Sequence, residues 1–440
     1  MALVAAAAMP AGAGAEQISP LGQGRNPSAV TDATGTLHVV YNHVPQGSPN
    51  TDTTIYCRLP AGAPACQPIA FPGLPDNADS TAPHILLRPA DGALFVVVSG
   101  VVNRLPTTFL YASSDGGATW SGPAAIATGL ENISSAQLTP DGGAVELMGG
   151  NGDDDMVYQR ATLGGPVETR AIGLQAGTQI GFAWRYRLSR MPDGRTAAVA
   201  ADSVLRSTLR VLNGPDPYQQ ASWSPWATAP SVSGQFVGAS AGPSGSWVLI
   251  APHERLRLRR WNGRTFGTPR TMGTLAGVGG GDVGPVLLNP PADIAVDLAG
   301  RVHVAFLAPH ALCGPSVCLA YRRSEPRGLG PTFIYPVAKP GGVTPFSITV
   351  APNAGGSGWI VWDDRSLGYT GNVNAVPLVT PPRYSRTGSR VLGHHRRITL
   401  PVRRGCIRPG SRFVHRADLS GLRRGVRIVS VRFFFDDGQL

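Results

Sequence analysis

The chain has 440 residues, of which 42% are hydrophobic, and its net charge is +11 at pH 7. Fourteen arginines and three acidic residues lie within residues 383–440, so this segment carries the whole positive excess and residues 1–382 are neutral. This distribution gives no support for a basic face extending over residues 1–382, as nucleic-acid binding by that whole part of the chain would require. No apolar run reaches the roughly 18 residues of a membrane span.

Residues 1–15 are small and apolar and end in Ala13-Gly14-Ala15. An apolar run before an Ala-x-Ala-like site is typical of a secretory signal, although the positively charged residues that normally precede the run are missing. We therefore expect residues 1–15 to be a signal-peptide remnant and the protein to be secreted and extracellular.

Residues 16–380 repeat one unit: a short apolar strand, a turn that ends in glycine, and a second apolar strand. The turn glycines are 50 to 58 residues apart, which fits four-stranded units with loops. One such unit cannot bury both its faces, so the units must stack. No helical pattern is longer than a turn or two. The seven turn glycines are Gly35, Gly92, Gly142, Gly194, Gly245, Gly300 and Gly358.

The second unit contains the phrase Ser-Ser-Asp-Gly-Gly-Ala-Thr-Trp at residues 113–120. Asp and Gly are turn residues, and short polar side chains bind nearby backbone N–H groups, so the phrase predicts a hairpin held by its own side chains. Weaker turn-plus-aromatic echoes occur at Trp223, at Phe266 and at Phe333. The defining positions are Ser113, Asp115, Gly117, Thr119 and Trp120.

This phrase resembles the Asp-box, or BNR repeat, of the sialidase-like (neuraminidase superfamily) β-propellers, including secreted bacterial ones. The resemblance implies an all-β fold, a β-propeller of six or seven four-stranded blades. In that family the Asp-box lies on the blade rim, away from the active centre. We therefore interpret Asp115 as structural rather than catalytic.

The cysteines form two close pairs. Cys57 and Cys66 flank a hairpin-like loop, and Cys313 and Cys318 flank another. In an exported protein such pairs indicate two local disulfides; zinc binding is the alternative, but no pair has a companion Cys-x-x-Cys or a nearby His motif. Cys406 has no evident partner.

The last part of the chain differs in composition from the repeats. Residues 381–397 are rich in Pro, Gly, Ser and Arg, which predicts a linker. Residues 398–440 resemble the opening of an Ig-like β-sandwich, with a strand at 426–435 and a hairpin turn at 436–438, and we expect this domain to be truncated. The arginines here suit either a solvated linker and domain surface or the binding of anionic cell wall, lipid or nucleic acid.

The resemblance also implies where an active site would lie. Sialidases hold the substrate carboxylate with three arginines and use a Tyr nucleophile with an Asp acid/base. Arg25 stands where the first family arginine opens the first blade, and Asp52 stands in the loop that supplies the Asp. Arg185 or Arg187, together with Arg365, are candidates for the other two arginines.

The alternative reading of Arg25 is that it precedes an ordinary blade start, since Asn-Pro opens another blade at Asn289. The acidic run 151–155 is either a Ca²⁺ site or a solvated hairpin tip. We predict no cofactor, no metal, no specific nucleic acid and a monomer. The sequence favours a secreted binding module for a glycan or cell-surface ligand; the alternative is a glycoside hydrolase of the exo-α-sialidase type.

Overall fold

The computed structural model describes residues 18–43, 53–71, 82–150, 156–174, 187–191, 193–201, 206–233, 235–243, 245–251, 255–274, 292–309, 317–325, 328–335, 347–364, 371–378, 387–391, 397–401, 434–435 and 438–439. The chain divides into two compact units, Met1–Leu378 and Val379–Leu440. Apart from one 3₁₀ turn at Gln220–Ser222, the regular structure of the described residues is β. None of their helical segments is long and apolar enough to cross a membrane.

The first unit consists of antiparallel sheets that follow one another along the chain, and we call each four-stranded group a blade. The strands of blades 1 to 3 are β1 Ser19–Thr31, β2 Leu37–His43, β3 Thr53–Leu59 and β4 Gln67–Ala70; β5 His84–Leu87, β6 Leu94–Val102, β7 Leu105–Ser113 and β8 Ser121–Thr128; and β9 Asn132–Leu138, β10 Ala144–Gly150, β11 Val157–Thr162 and β12 Ile172–Gly173.

Blades 4 to 7 continue the same order. Their strands are β13 Arg187–Arg190, β14 Thr196–Ala201, β15 Arg206–Val211 and β16 Ala227–Ser233; β17 Gln235–Gly242, β18 Gly245–Ala251, β19 Arg255–Trp261 and β20 Arg270–Thr274; β21 Ala292–Val296, β22 Val302–Pro309, β23 Val317–Glu325 and β24 Gly328–Tyr335; and β25 Ser347–Pro352, β26 Gly358–Asp363 and β27 Gly371–Pro377.

The first strands of the blades form a closed ring. Each contacts the first strand of the next blade, in the order β1, β5, β9, β13, β17, β21, β25 and back to β1. A ring of inner strands around a channel defines a β-propeller. The described residues therefore form a seven-bladed β-propeller, which decides between the six and seven blades left open by the sequence.

Strand β1 closes the ring because it belongs to two blades. Its first half, from Ser19 to Gly24, pairs with β27 as the outer strand of blade 7, and its second half, from Arg25 to Thr31, pairs with β2 as the inner strand of blade 1. The pairing is irregular between Arg25 and Ser28, where the strand changes partner. Blade 7 is thus completed by the N-terminal part of the propeller.

The second strand of each blade forms the densest part of the core. These strands are continuous apolar runs, such as Leu-Phe-Val-Val-Val in β6 and Trp-Ile-Val-Trp in β26, and β26 is buried over its whole length. Continuous runs are expected where a strand is covered on both faces, here by the adjacent blades. The turns before these strands use the predicted glycines, all seven of which have positive φ, from 68° to 150°.

Side-chain hydrogen bonds tie neighbouring inner strands together. Within the described residues they occur at six of the seven junctions between blades. Backbone N–H groups donate to side-chain oxygens at Ile85 to Ser28 (3.2 Å), Leu188 to Ser135 (3.0 Å), Val296 to Ser240 (3.0 Å) and Val350 to Asp293 (2.9 Å). Side chains donate to backbone carbonyls at His84 to Ile133 (3.1 Å) and Thr349 to Pro27 (2.9 Å).

Blades 1 and 6 share a buried polar triad at the same positions. In blade 6, His303 Nε2 lies 3.0 Å from Asp297 and its Nδ1 lies 2.7 Å from the Tyr321 hydroxyl. The matching distances in blade 1, from His38 to Asp32 and Tyr56, are 3.3 and 2.8 Å. Burial lowers the pKa of both histidines despite their carboxylates. These triads join strands within a blade, so we interpret them as structural.

Blade 3 is joined to blade 4 through Glu146, which is completely buried. Its carboxylate accepts hydrogen bonds from Arg160 (2.9 Å) and Tyr158 (2.7 Å) on its own blade and from Arg190 (2.8 Å) and Thr196 (2.7 Å) on the next. Burial acts to raise the pKa of Glu146, but these cations and donors hold it below its usual value. The carboxylate therefore stays ionised and fixes the two blades to each other.

The second unit contains two short hairpins. They are formed by β28 Thr387–Val391 with β29 Arg397–Pro401, and by β30 Phe434–Phe435 with β31 Gly438–Gln439. The first hairpin begins inside the segment predicted as a linker, and the second encloses the predicted turn at 436–438. The boundary near residue 380 and the Ig-like assignment stay predictions, and residues 1–15 lie outside the described part.

We predict that Glu146→Ala lowers the free energy of unfolding by about 3–5 kcal/mol, because it leaves Arg160 and Arg190 without their buried counter-charge. The matched control is Glu168→Ala, which removes the partner of the exposed Arg170 and should cost only about 0–1 kcal/mol. Urea unfolding followed by fluorescence measures both values. Equal losses in the two variants would contradict a bridging role for Glu146.

Candidate functional site

The seven inner strands all begin at the same end of the channel. In a blade of four antiparallel strands the fourth ends where the first begins, so the chain enters each new blade at that end. We call it the top end and the opposite one the bottom end. The connections at the top end include the long segments 275–291 and 336–346, whereas the first and second strands of each blade are joined at the bottom end by tight turns.

Three ionisable side chains stand at the top ends of alternate inner strands. His84 is the first residue of β5, Arg187 the first of β13, and Asp293 the second of β21, in blades 2, 4 and 6. The charge of Arg187 acts on both His84 and Asp293. Blades 2, 4 and 6 are not neighbours, so the space that these side chains share is the channel. We call His84, Arg187 and Asp293 the channel triad.

His84 is neutral at physiological pH. Burial is the main cause that lowers its pKa to about 4; the Arg187 charge lowers it further, and the hydrogen bond to the Ile133 carbonyl opposes the change. Because Nε2 donates to that carbonyl, the other ring nitrogen, Nδ1, carries a lone pair. His84 can therefore accept a hydrogen bond from a ligand.

The pKa of Asp293 is shifted in the opposite direction to that of His84. Burial raises its pKa above the usual value, while Arg187 and the N–H of Val350 act to lower it. One of its oxygens holds β25 through that N–H, at 2.9 Å. A carboxyl of raised pKa in a channel can serve as a hydrogen-bond acceptor, or as a proton donor when it is protonated.

Arg187 supplies the positive charge of the triad. Arg187 is partly exposed, and no carboxylate oxygen of the described residues lies within 4.0 Å of its guanidinium nitrogens, the limit for an ion pair. By contrast, Arg88, Arg160, Arg190 and Arg301 each pair with a carboxylate. A guanidinium without a counter-charge is suited to bind a carboxylate in its fixed fork of N–H donors.

Arg25, the first predicted site residue, lies at the top end but is only 5% exposed. Its neighbour Asn26 has a positive φ of 54° and donates its N–H to buried Asp363 (2.8 Å), which also accepts from the N–H of Ser347 (3.1 Å). Asp363 thus anchors the place where β1 passes from blade 7 to blade 1. Asp52 lies outside the described residues, so a site joining Arg25 and Asp52 stays a prediction.

The other arginine candidates have different outcomes. Arg187 is a member of the channel triad, whereas Arg185 and Arg365 lie outside the described residues, as does the acidic run 151–155. Among the described residues no group of three or more His, Cys, Asp or Glu side chains could hold a metal ion.

The phrase at 113–120 lies between β7 and β8, at the bottom end. Asp115 Oδ1 accepts the N–H groups of Ala118 and Thr119, both at 3.0 Å, and Oδ2 accepts the Thr119 hydroxyl at 2.6 Å. These donors, with the Ser113 hydroxyl, hold the pKa of Asp115 well below its usual value. Its carboxylate is fully committed to the turn, at the far end of the propeller from the channel triad.

The rest of this phrase packs against blade 1. Ser113 accepts the N–H of Gly117 at 2.9 Å, and Gly117 has a φ of 85°. The ring of Trp120 meets Tyr56 and Phe71 edge-on, with centroids 4.8 and 5.1 Å apart. The phrase therefore also seals the junction between blades 1 and 2.

Cys57 and Cys66 form a disulfide that joins β3 to the start of β4, as predicted. Cys318 is also disulfide-bonded; its predicted partner Cys313 lies outside the described residues, as does Cys406.

The sequence reasoning missed two members of the channel triad, His84 and Asp293. Asp293 lies in the blade start that follows Asn289, where the turn signal alone does not mark it as a site residue. The signal was present, since both residues lie at the start of an apolar inner strand, at the same phase of the repeat as Arg187. Comparing all blade starts in register would have aligned the three.

No protein-family model matches this chain, and no curated protein sequence matches it. Among solved structures it is similar to an alpha-L-arabinanase from Penicillium chrysogenum complexed with arabinobiose, with a TM-score of 0.46 and 14% identity over 82% of this chain and 96% of that one. The β-propeller domain of the Trilobed protease from Pyrococcus furiosus gives 0.42 and 10% over 80% and 96%. A leech intramolecular trans-sialidase gives 0.42 and 8% over 66% and 65%.

These likenesses are distant, and the assignment of the fold rests on the closed ring of inner strands and the shared strand β1.

We predict that His84→Gln makes stability less dependent on pH. The folded-state pKa of about 4 lies below the ordinary value of about 6.5, so the stability that His84 contributes is complete above pH 6.5 and is lost as the pH falls toward 4. Between pH 8 and 5 this loss amounts to roughly 2 kcal/mol. Urea unfolding of both proteins at the two pH values tests it, and an unchanged dependence in the variant would contradict the assignment.

Proposed function

We propose that this protein is a secreted, sialidase-like β-propeller that binds an acidic sugar at the top end of its channel. The observation that carries the proposal is the channel triad, in which Arg187 lacks a carboxylate partner among the described residues. Its guanidinium would hold the ligand carboxylate through charge-assisted hydrogen bonds. The phrase at 113–120 supports the sialidase-like character, and its resemblance to the Asp-box stays an expectation.

The other two members of the triad suit sugar hydroxyl groups. Neutral His84 offers a lone pair, and Asp293 offers carboxyl oxygens beside the positive charge of Arg187. A few convergent polar groups in a recess are typical of sites that fix the orientation of a small ligand. The ligand would therefore be an acidic monosaccharide or the acidic end of a glycan.

Two observations support the extracellular part of the proposal. The Cys57–Cys66 disulfide is typical of proteins from oxidising compartments. The apolar stretch at residues 1–15 is the expected remnant of a secretory signal. Glycans at cell surfaces and in the cell wall are the ligands that such a compartment presents.

Binding is favoured over cleavage because, of the two clamp candidates that the structure describes, Arg25 and Arg187, only Arg187 is accessible. Arg25 is almost completely buried by the residues that the structure describes. The second candidate, a glycoside hydrolase of the exo-α-sialidase type, is favoured by one observation: the raised pKa of Asp293 is the property that a general acid needs.

We predict that isothermal titration calorimetry with N-acetylneuraminic acid detects binding and that Arg187→Ala weakens it by about tenfold or more, because a hydrogen bond between charged groups contributes about 1.5–3 kcal/mol. Arg58→Ala, at an exposed arginine of β3, is the matched control and should bind as the wild type does. Methyl glucoside, which has no carboxylate, should not bind measurably. Equal affinity in Arg187→Ala and wild type would contradict the proposal.

We predict no turnover of a fluorogenic sialoside by the purified protein. Turnover that Asp293→Asn abolishes at unchanged thermal stability would establish the hydrolase instead. Turnover abolished by Arg25→Ala would do the same and would restore Arg25 as a member of the site.

A further inference from the structure

A second charged region lies on blade 5, far from the channel triad. Residues 255–270 contain six arginines and no acidic residue. Three of them, Arg260, Arg264 and Arg270, are exposed at the bottom end of β19, in the turn that follows and at the start of β20. We call these three the blade-5 arginine cluster.

The positions of these guanidinium groups are set by packing. The guanidinium carbons of Arg260 and Arg270 each lie 6.0 Å from the centre of the Trp247 ring, which is only 7% exposed. The side chain of Arg260 also lies across Gly245, where an added Cβ would come within 2.9 Å of its Nε. The buried Trp247 ring therefore lies within cation–π range of two like charges, whose fields add in favour of an anion.

The turn that carries Arg264 lacks the acid found in the corresponding turn of blade 2. Asn262 Oδ1 accepts the N–H groups of Arg264 (3.0 Å) and Thr265 (2.9 Å), much as Asp115 does for its own turn. The Asn262 amide oxygen thus accepts the turn hydrogen bonds that a carboxylate accepts in blade 2, without adding negative charge. The turn is formed and the positive charge beside it is left uncompensated.

Neighbouring blades do not supply the missing charge. Two bottom-end carboxylates of these blades, Asp193 and Asp297, pair with Arg195 and Arg301 of their own blades. Within the described residues no carboxylate lies within ion-pair distance of the blade-5 arginine cluster. Since residues 1–382 are neutral overall, this is a local separation of charge rather than a general excess.

We propose that the blade-5 arginine cluster is a docking surface for an anionic polysaccharide carrying sulfate or carboxylate groups. Three exposed guanidinium groups on one end of a blade match ligands with repeated anionic groups. The Cys57–Cys66 disulfide is typical of proteins in oxidising compartments, where such polysaccharides occur. Single-stranded nucleic acids bind by stacking their bases on aromatic side chains, and the blade-5 arginine cluster contains no exposed aromatic ring. This surface lies at the bottom end and is independent of the function proposed for the channel triad.

The test uses the full chain, a sulfated heparin hexasaccharide, neutral maltohexaose and a short DNA duplex. Hydrogen exchange should show protection of residues 255–274 by the sulfated hexasaccharide alone. The triple variant Arg260→Gln, Arg264→Gln, Arg270→Gln should lose that protection and about tenfold in affinity. The matched control, Arg58→Gln, Arg104→Gln, Arg170→Gln, removes the same charge at exposed sites and should keep both.

Asn262→Asp provides a second variant that preserves the turn. It should weaken hexasaccharide binding several-fold at unchanged thermal stability, because it adds the carboxylate that the blade-2 turn has. Protection confined to residues 383–440, equal losses in the two triple variants, or tighter cluster-dependent binding of the DNA duplex would each overturn the proposal. Arg187→Ala should leave the protection of residues 255–274 by the hexasaccharide unchanged, which separates this result from the test of the channel triad.

Discussion

The propeller depends on one strand that serves two blades. Strand β1 completes blade 7 with its first half and opens blade 1 with its second, so these two blades share one seven-stranded sheet and β27 is not left as a free edge. Asp363 anchors the crossing point through the N–H groups of Asn26 and Ser347. The closed ring fixes the positions of all inner strands, and with them the shape of the channel.

That closure gives polar groups on the inner strands two kinds of role. Ser28, Ser135 and Ser240 bind the backbone of the next inner strand and serve the ring alone. His84 and Asp293 make the same kind of bond but also sense the charge of Arg187 across the channel. The channel triad is thus built on the contacts that hold the blades together, which makes its geometry rigid. As a consequence, protonation of His84 makes the free energy of unfolding depend on pH.

The repeat was readable from the sequence because its signals are local. Glycine turns, apolar second strands and the phrase at 113–120 each follow from nearby residues, and they led to a propeller and to the Cys57–Cys66 disulfide. The closing role of Ser19–Gly24 was not readable, because it depends on pairing with a strand some 350 residues away. The channel triad was missed for the same reason, since only the ring brings blades 2, 4 and 6 to one space. Arg25 lies at the top end, but no local feature of the sequence reveals that packing leaves it only 5% exposed.

A crystal structure of the protein soaked with N-acetylneuraminic acid would test the functional account most directly. We expect the sugar at the top end of the channel, with its carboxylate within about 3.2 Å of the Arg187 guanidinium and its hydroxyls near His84 and Asp293. A sugar bound at the bottom end, or a channel in which Arg187 is neutralised by a carboxylate of the protein itself, would contradict it.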